Sequence, residues 1–487
     1  MNWLNKMKNN ISYFWIILVL LSACTKQIDR SDNDRIIEIN DFIWKGLNTY
    51  YLWKDMQPEL ADQRFQNQAE LNEFLRKTTS PENLFQSLLY RPGQIDRWSW
   101  IVSNYDDLLK LFQGIRLTNG MHFGLVFQPG SQTNLFAYVK YVVPNSPSAQ
   151  AGIKRGDMFK IINGQNLTVD NYHTLLSNKI WHIELAQWDG QTLTNTGQIK
   201  SIEKIELAEN PVYLDTIYQI SQHKVGYLIY NGFTDSYNDD LKAAMLGFKT
   251  NHIDRLIIDL RYNPGGSVET LQYLASMITG QFQGKILLKY RWHSQLQTWM
   301  KQYYPDRLMR KFVNHQTNGT SLPMLNMDQV VFITTKNSAS ASESLINGLK
   351  PYIDVTQIGT ATHGKYTASI TLFDSPDFSS YHKNPTHKWA MQPIVLKISN
   401  AVGNTDFYNG LQPDIMQAEN YFDLGHLGNT SEPLLQTALS FISTQTRPIS
   451  SVNKMQDLKA YPFQSYPLEF DMHLNGQDLL NFTPENN

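Results

Sequence analysis

The stretch KNSASASESLINGLKPYIDVTQIGTATHGKYTAS, residues 336–369, places serines at three alternate positions directly before a glutamate, Ser338, Ser340, Ser342 and Glu343. Ser340 and Glu343 have the S-x-x-E spacing of a capping box, in which the two side chains accept hydrogen bonds from amides at a helix N-terminus. The stretch therefore predicts a helix that begins at these serines. It leaves open whether one of them is also a nucleophile.

Apolar segments alternate with helical segments on both sides of this stretch. The predicted strands are KVGYLIY, RLIIDL, QVVFITT and VTQIG, and helices are predicted at SYNDDLKAAMLGFK, after NPGG and at the serines. This alternation is typical of an α/β layer with helices covering the sheet. Because the ends of such strands carry chemistry, we expect the functional residues in the loops that follow them.

Two of these loops contain residues suited to catalysis. In Asn263-Pro264-Gly265-Gly266 the glycines would let main-chain N–H groups face an anion, as an oxyanion hole requires, although in isolation a tight strand-to-helix turn explains them better. Thr362-His363-Gly364-Lys365 follows a short strand. Desolvation there would lower the pKa of the lysine from about 10.4 and make its neutral amine available as a base, whereas a surface lysine is the simpler alternative.

Residues 142–167, VVPNSPSAQAGIKRGDMFKIINGQNL, resemble a PDZ domain. The resemblance implies that residues 116–206 bind peptides by adding an extended strand to a sheet edge. It also implies that Phe123, Gly124 and Leu125 stand in a carboxylate-binding loop, where successive N–H groups form an anion nest. A PDZ fold that serves only as a spacer is the alternative.

The N-terminus is typical of an export signal. Lys6 and Lys8 precede the apolar run 11–23, which is too short to span a bilayer and ends at Cys24, the single cysteine of the chain. Leu21-Ser22-Ala23-Cys24 resembles the lipobox of bacterial lipoproteins, so residues 1–24 are a predicted signal peptide, and residues 25–33 a tether. A lipidated Cys24 would leave no free thiol for disulfides or zinc. We expect a lipoprotein of the cell envelope, anchored in the outer membrane. The sequence leaves open whether it faces the periplasm or the cell surface.

The remaining segments are less informative. Residues 34–115 predict a helical domain, with Trp44, Trp53, Trp98 and Trp100 in its core. Residues 285–311 carry seven Lys or Arg against the single acid Asp306, between aromatic residues, and predict a solvated insertion or, second, a contact with anionic lipid. A formal charge of −2 gives no reason to expect nucleic acid as a partner. The sequence of the tail, residues 446–487, predicts neither its structure nor its role.

Taken together, the motifs resemble the C-terminal processing peptidases, or tail-specific proteases. The resemblance rests on the PDZ segment, DLRYNPGG, SASASE, IGTATHGK and GLQPD, in family order over about residues 120–440, and on YYLW at 50–53. It implies a multidomain α+β protein whose α/β serine-protease core, residues 207–445, has crotonase-like ββα layers. It also implies Ser340 as nucleophile, Lys365 as general base, and an oxyanion hole of the Ala341 N–H and either Gly265 or Gly266.

One position departs from the family pattern. Many members carry a glutamine four residues after the lysine to orient it, and Ser369 stands there. The expected function is a serine endopeptidase with a Ser-Lys dyad that acts on exported proteins or peptides, captured by their C-termini, with no metal or organic cofactor. An inactive peptide-binding scaffold and a carrier for apolar ligands remain as alternatives, and the oligomeric state is left open.

Overall fold

The computed structural model of the chain describes residues 32–446, 460–461 and 472–474. The predicted signal peptide, Cys24 and almost all of the predicted tether lie outside these ranges, as does most of the tail. No helix within the described ranges is long and apolar enough to cross a membrane.

Helices and strands alternate irregularly along the described chain. The α-helices are α1 (Asp32–Tyr50), α2 (Gln68–Leu75), α3 (Pro81–Ser87), α4 (Tyr105–Phe112), α5 (Pro147–Gln150), α6 (Tyr172–Ser177), α7 (Asn238–Thr250), α8 (Val268–Thr279), α9 (Ser294–Tyr303), α10 (Ala341–Leu349) and α11 (Pro433–Thr444). The strands are β1 (Trp100–Val102), β2 (Ile115–Thr118), β3 (Met121–Phe127), β4 (Leu135–Val142), β5 (Met158–Ile162), β6 (Gln165–Asn166), β7 (Ile180–Trp188), β8 (Leu193–Glu203), β9 (Ile205–Ala208), β10 (Val212–Ile220), β11 (His223–Tyr230), β12 (Arg255–Asp259), β13 (Gly266–Ser267), β14 (Ile286–Trp292), β15 (Met309–Lys311), β16 (Gln329–Thr334), β17 (Asp354–Gly359), β18 (Thr367–Ser369), β19 (Leu372–Phe373), β20 (Ala390–Gln392), β21 (Ile394–Asn400), β22 (Ile415–Met416) and β23 (Met472–His473). Short 3₁₀ turns cover Lys54–Met56, Pro58–Leu60, Asp235–Tyr237 and Pro305–Leu308.

The N-terminal helices share a hydrophobic core with the rest of the chain. Ile43 and Leu47 of α1, Leu75 of α2 and Phe85 of α3 are fully buried, and they belong to the same apolar cluster as helices α8 and α10. β1 pairs antiparallel with β20 and so joins this region to a strand about 290 residues later in the chain. The helices therefore depend on the α/β part for their burial.

A separate antiparallel sheet has the order β3-β4-β5-β7-β8, with its own apolar cluster. Phe123, Gly124 and Leu125 lie inside β3, where they pair with residues 137–139 of β4, and the Phe123 ring packs in that cluster. These three residues, predicted to stand in a carboxylate-binding loop, form a strand in the structure, and their role in peptide binding stays a prediction. Within the sheet path, β3 lies at an edge.

The antiparallel unit is held to the core by buried charge. Arg155 donates to the Gly425 carbonyl oxygen at 3.0 Å, and its guanidinium lies 3.0 Å from the Glu419 carboxylate. Lys140 donates to Asn337, in the serine loop, at 3.1 Å. The unit is thus fixed next to the loop that precedes Ser340.

The α/β part is built on a mainly parallel sheet in the order β10-β11-β12-β16-β17-β22, in which β10 alone runs antiparallel to its neighbour. Successive residues of its strands point to opposite faces. Ile257 packs on the side of α11, whereas Leu256 and Ile258 belong to the cluster of α7, α8 and α10. Both faces are covered, which explains why the strands are almost continuously apolar.

A second sheet, in the order β13-β23-β18-β21-β14-β15, packs against the other side of α8 and α10. Its β14 and the following α9 fall within residues 285–311, and Trp292 and Met300 there are buried in the main cluster. The prediction of a solvated insertion is therefore wrong: Tyr290 and Trp292 face the core and only Tyr303 of the aromatic residues is largely exposed, while the basic residues lie between them. TASITLF forms two short strands, β18 and β19, in different sheets rather than one.

Candidate active site

Three neighbouring parallel strands deliver the three loops singled out by the sequence. The glycine loop at 263–266 follows β12, the serine loop at 336–340 follows β16, and the lysine loop at 362–365 follows β17. Because β12, β16 and β17 are adjacent and parallel, their carboxyl ends meet at one edge of the sheet. The fold therefore brings Ser340, Lys365 and the two glycines to the same edge.

Ser340 stands at the N-terminus of α10 in a strained conformation. Its φ is +65° and its ψ −110°, a region that residues with a side chain seldom adopt. The side chain is fully buried, and its Oγ has no hydrogen-bond partner in the described chain. A buried hydroxyl without a partner is costly for stability, so the arrangement is better explained by a function.

The helix start is as predicted, although the capping is not complete. Ser340 and Glu343 have the capping-box arrangement, and the Ser340 N–H donates to Glu343 Oε2 at 2.7 Å. The reciprocal bond to the serine hydroxyl is missing, since that Oγ is unpaired. The hydroxyl therefore lies at the positive end of α10 without being used to cap it.

The two flanking serines have structural roles. Ser338 Oγ donates to the Leu260 carbonyl oxygen at 2.7 Å, and Ser342 Oγ donates to the Asn263 carbonyl oxygen at 3.0 Å. Both bonds tie the serine loop to the end of β12. They agree with the interpretation of Ser338 and Ser342 as hydrogen-bonding neighbours of the central serine.

Glu343 joins the serine loop to the lysine loop. Its Oε2 accepts from the N–H of Ser340 at 2.7 Å and from the N–H of Lys365 at 2.8 Å, so these two nitrogens lie at most 5.5 Å apart. Its Oε1 accepts from the Gly364 N–H at 2.6 Å and from the Thr362 hydroxyl. Burial raises the pKa of Glu343 to about 7, against the opposing effect of these four donors. One buried carboxylate thus sets the spacing of the two candidate catalytic residues.

Lys365 lies under residues of the N-terminal region. Its side chain is 1% exposed, and its Nζ is 5.9 Å from the centre of the Trp98 ring. Arg97 also lies over that ring, 4.1 Å from its centre, and donates to the Gly364 carbonyl oxygen at 3.2 Å. The Lys365 side chain is therefore shielded from water at this edge of the sheet.

His363 is placed by main-chain bonds and stays neutral. Its N–H donates to the Ser338 carbonyl oxygen at 2.9 Å. Burial, followed by the positive charges of Lys336 and Arg97, lowers the pKa of His363 to about 4. The imidazole therefore adds no positive charge beside the lysine at neutral pH.

The two glycines differ in what their backbones do. The Gly265 N–H donates to Asn263 Oδ1 at 3.0 Å, which shapes the loop from within. Gly266 has a φ of +131°, and a Cβ at that position would lie 2.3 Å from the Phe233 carbonyl oxygen. Gly266 is therefore required by close approach of another backbone as well as by its dihedral angle.

Several residues at this site were not found from the sequence. Glu343 was interpreted only as a capping residue, Thr362 was named without a role, and Trp98 was assigned to the core. The available signal for Glu343 was that it is the single charged residue of a helix whose other side chains are small, apolar or uncharged, since a buried carboxylate needs partners. Ser369 lies buried in β18, four residues beyond Lys365. Among the described residues, no group of His, Cys, Asp and Glu could hold a metal ion.

Comparison with known proteins places the chain in a family. The model of peptidase family S41 matches residues 224–416, and the model of the peptidase S41 N-terminal domain matches residues 38–100. These matches cover 193 and 63 residues, together more than half of the 487. The chain belongs to peptidase family S41. The first match spans all three loops of the site, and the second ends at the strand that follows Trp98.

Relatives within family S41 are distant but extensive. The carboxy-terminal processing protease CtpB of Bacillus subtilis is 25% identical over 338 residues, which are 68% of this chain and 60% of the Bacillus protein. The crystal structure of a proposed S41 protease from Bacteroides fragilis is 26% identical, with a TM-score of 0.64, and the match covers 83% of this chain and 97% of that one. The match to the Bacillus protein thus spans less than two thirds of its length.

Proposed function

We propose that this S41 chain is a serine endopeptidase in which Ser340 is the nucleophile and Lys365 the general base. The observation that carries the proposal is the Ser340 hydroxyl, which is buried, strained and without a hydrogen-bond partner at the N-terminus of α10. The Glu343 carboxylate holds the main chain of Lys365 next to it. A scaffold would have no need of this costly arrangement.

The reaction would follow the sequence of acyl-transfer steps used by serine nucleophiles. Ser340 Oγ attacks the peptide carbonyl carbon while its proton passes to the neutral Lys365 amine. The oxyanion accepts hydrogen bonds from the Ala341 N–H, at the positive end of α10, and from an N–H of Gly265 or Gly266. Lys365 then donates that proton to the nitrogen of the leaving amine, which departs. The Lys365 amine next takes a proton from water as the water attacks the acyl ester, and it returns this proton to Ser340 Oγ when the acid product leaves.

Substrate capture is assigned to the sheet β3-β4-β5-β7-β8, as a PDZ domain. The support is its edge strand β3, to which an extended peptide can add as a further strand. We propose that protein or peptide substrates are held there near their C-termini. Because main-chain groups make such a contact, it places few demands on the substrate's sequence.

The location proposed for the enzyme is the cell envelope. The support is sequence alone: the apolar run 11–23 and the lipobox-like residues that end at Cys24. A lipid on Cys24 would hold the enzyme at the outer membrane and direct it toward exported proteins.

Ser369 is proposed to orient the Lys365 amine in place of the family glutamine.

The test is cleavage of an unfolded protein, such as reduced casein, by the full chain and by two serine variants. Ser340→Ala should abolish cleavage, whereas Ser342→Ala, which loses only the bond to the Asn263 carbonyl oxygen, should keep at least about a tenth of the rate. Equal cleavage by the wild type and Ser340→Ala would refute the dyad. A wild type that binds peptides without cleaving them would support the inactive scaffold, which the departure at Ser369 favours.

A further inference from the structure

The described part of the C-terminal tail completes the sheet at the candidate active site. β23, Met472–His473, lies between β13 and β18 and runs parallel to both. Its residues pair with Gly266, Ser267 and Ser369, and the Leu474 N–H donates to the Ser369 carbonyl oxygen at 3.1 Å. The tail therefore lies between the glycine loop and the strand that follows Lys365.

Side chains of the tail are also held at this position. The His473 ring stacks on Phe112, with ring centres 4.3 Å apart, and Leu474 is 3% exposed within the main apolar cluster. A cavity of about 70 Å³ remains beside His473, lined among others by Phe112, Phe233 and Gly265. A peptide strand thus fits between β13 and β18 with its side chains packed against the protein. The cavity leaves space for one more side chain.

A second part of the tail contacts the edge strand of the antiparallel unit. Ala460 forms an antiparallel bridge with Val126 of β3, and the Tyr461 N–H donates to the Leu125 carbonyl oxygen at 2.9 Å. The Tyr461 ring packs edge-on against Phe127 and against Tyr172 of α6, at 5.5 and 5.2 Å between ring centres. This is the edge to which the proposed function assigns substrate capture.

We propose that the chain's own C-terminal tail is a peptide ligand in cis of both the β3 edge and the β13–β18 groove, and that it competes there with substrates. The inference rests on the proposed function, since competition has meaning only if these two places bind substrate. It agrees with the burial of Ser340 and Lys365, which are 0% and 1% exposed with the tail in place. In the absence of substrate, the peptide bound at these two places is the enzyme's own C-terminal tail.

Ten residues separate the contact at 460–461 from the contact at 472–474. If one contact is released, the other still holds the freed segment close to its binding place. A ligand tethered on this scale has an effective concentration of about 1 mM. If the free tail peptide binds with a Kd of about 0.1 mM, the tail occupies the groove about ten times more often than it leaves it, and removal of the tail should raise the rate about tenfold.

The test compares full-length variants in casein hydrolysis. Leu474→Asp places a charge at the buried tail contact and should raise the rate about tenfold, whereas Leu246→Asp, the same change at a leucine that is 52% exposed on α7, should leave it unchanged. Because Leu474 packs in the main cluster, Tyr461→Ala serves as a second variant, with an expected rise of about threefold. Rates equal to wild type in both folded tail variants would overturn the proposal.

A binding measurement separates this inference from the proposed function. A labelled peptide of residues 458–476 should bind the Ser340→Ala/Leu474→Asp protein with a Kd of about 0.1 mM in fluorescence anisotropy, and the same peptide carrying Leu474→Asp should bind at least about tenfold more weakly. No binding of the first peptide would overturn the tail proposal, whatever the hydrolysis results. Binding without hydrolysis by any variant would support the tail contact and refute the peptidase.

Discussion

Replacement of Glu343 by glutamine tests whether one carboxylate sets the spacing of the dyad. The two carboxylate oxygens accept four hydrogen bonds, from the N–H groups of Ser340, Gly364 and Lys365 and from the Thr362 hydroxyl. Glutamine has the same shape but keeps one acceptor oxygen. If that oxygen stays with the Ser340 and Lys365 amides, the new NH₂ group faces the Gly364 N–H.

The expected effects on stability and on catalysis differ in size. One buried N–H without an acceptor costs about 1 to 3 kcal/mol, and we expect the free energy of unfolding of Glu343→Gln to fall by that amount. The Gly364 amide would move away from the new NH₂ group and shift Lys365, its neighbour. A displacement of about 1 Å between nucleophile and base costs about a hundredfold in rate. We therefore expect kcat/KM to fall about a hundredfold, mainly through kcat.

The assay is steady-state hydrolysis of a fluorogenic peptide, with urea unfolding measured on the same samples. Glu432→Gln is the matched control, because Glu432 is also a buried carboxylate at a helix N-terminus but binds Arg261 and the Leu435 N–H, away from the dyad. The control should lose stability and keep its kcat/KM while folded. A Glu343→Gln enzyme with kcat/KM within about threefold of wild type would refute the role assigned to this carboxylate.

Three further results are expected. Lys365→Arg should lower kcat by at least about a thousandfold in the same assay, because a guanidinium stays protonated and cannot accept the serine proton; near-normal turnover would exclude Lys365 as the base. The pKa of His363 is lowered from 6.5 to about 4, so the folded protein binds fewer protons than the unfolded chain in this range, and stability is lost as the pH falls through it. Acidification from pH 8 to 5 should therefore cost about 2 kcal/mol of unfolding free energy through this residue, and the loss measured in urea should be smaller by that amount in His363→Asn. Cys24→Ala should accumulate as an unprocessed, lipid-free precursor in cell fractions, and a mature wild-type N-terminus beyond residue 24 would contradict the lipid anchor.

The sequence predicted the parts of the site that depend on local chain order. Apolar strands followed by glycine, serine and lysine loops are visible in the letters, and parallel neighbours must place such loops at one edge. The hydrogen bond from the Lys365 N–H to the Glu343 carboxylate was not predictable, because it depends on β16 pairing with β17 in a particular register.

Contacts across long stretches of chain were missed for the same reason. Trp98 lies 267 positions before Lys365, and only tertiary packing brings its ring over the amine. Residues 285–311 were misjudged because basic residues between aromatic ones give the same composition in a solvated loop and in a strand with one buried face. β23 is too short for any periodicity, and its pairing partners alone define it as a strand.

The most direct test of the central claim is the position of covalent labelling by a fluorophosphonate, mapped by mass spectrometry of the digested full chain. We predict one phosphonylated residue, Ser340, with labelling faster in Leu474→Asp and at least about a hundredfold slower in Lys365→Arg. A label on any other serine, or labelling of Ser340 at an unchanged rate in Lys365→Arg, would contradict the Ser-Lys dyad.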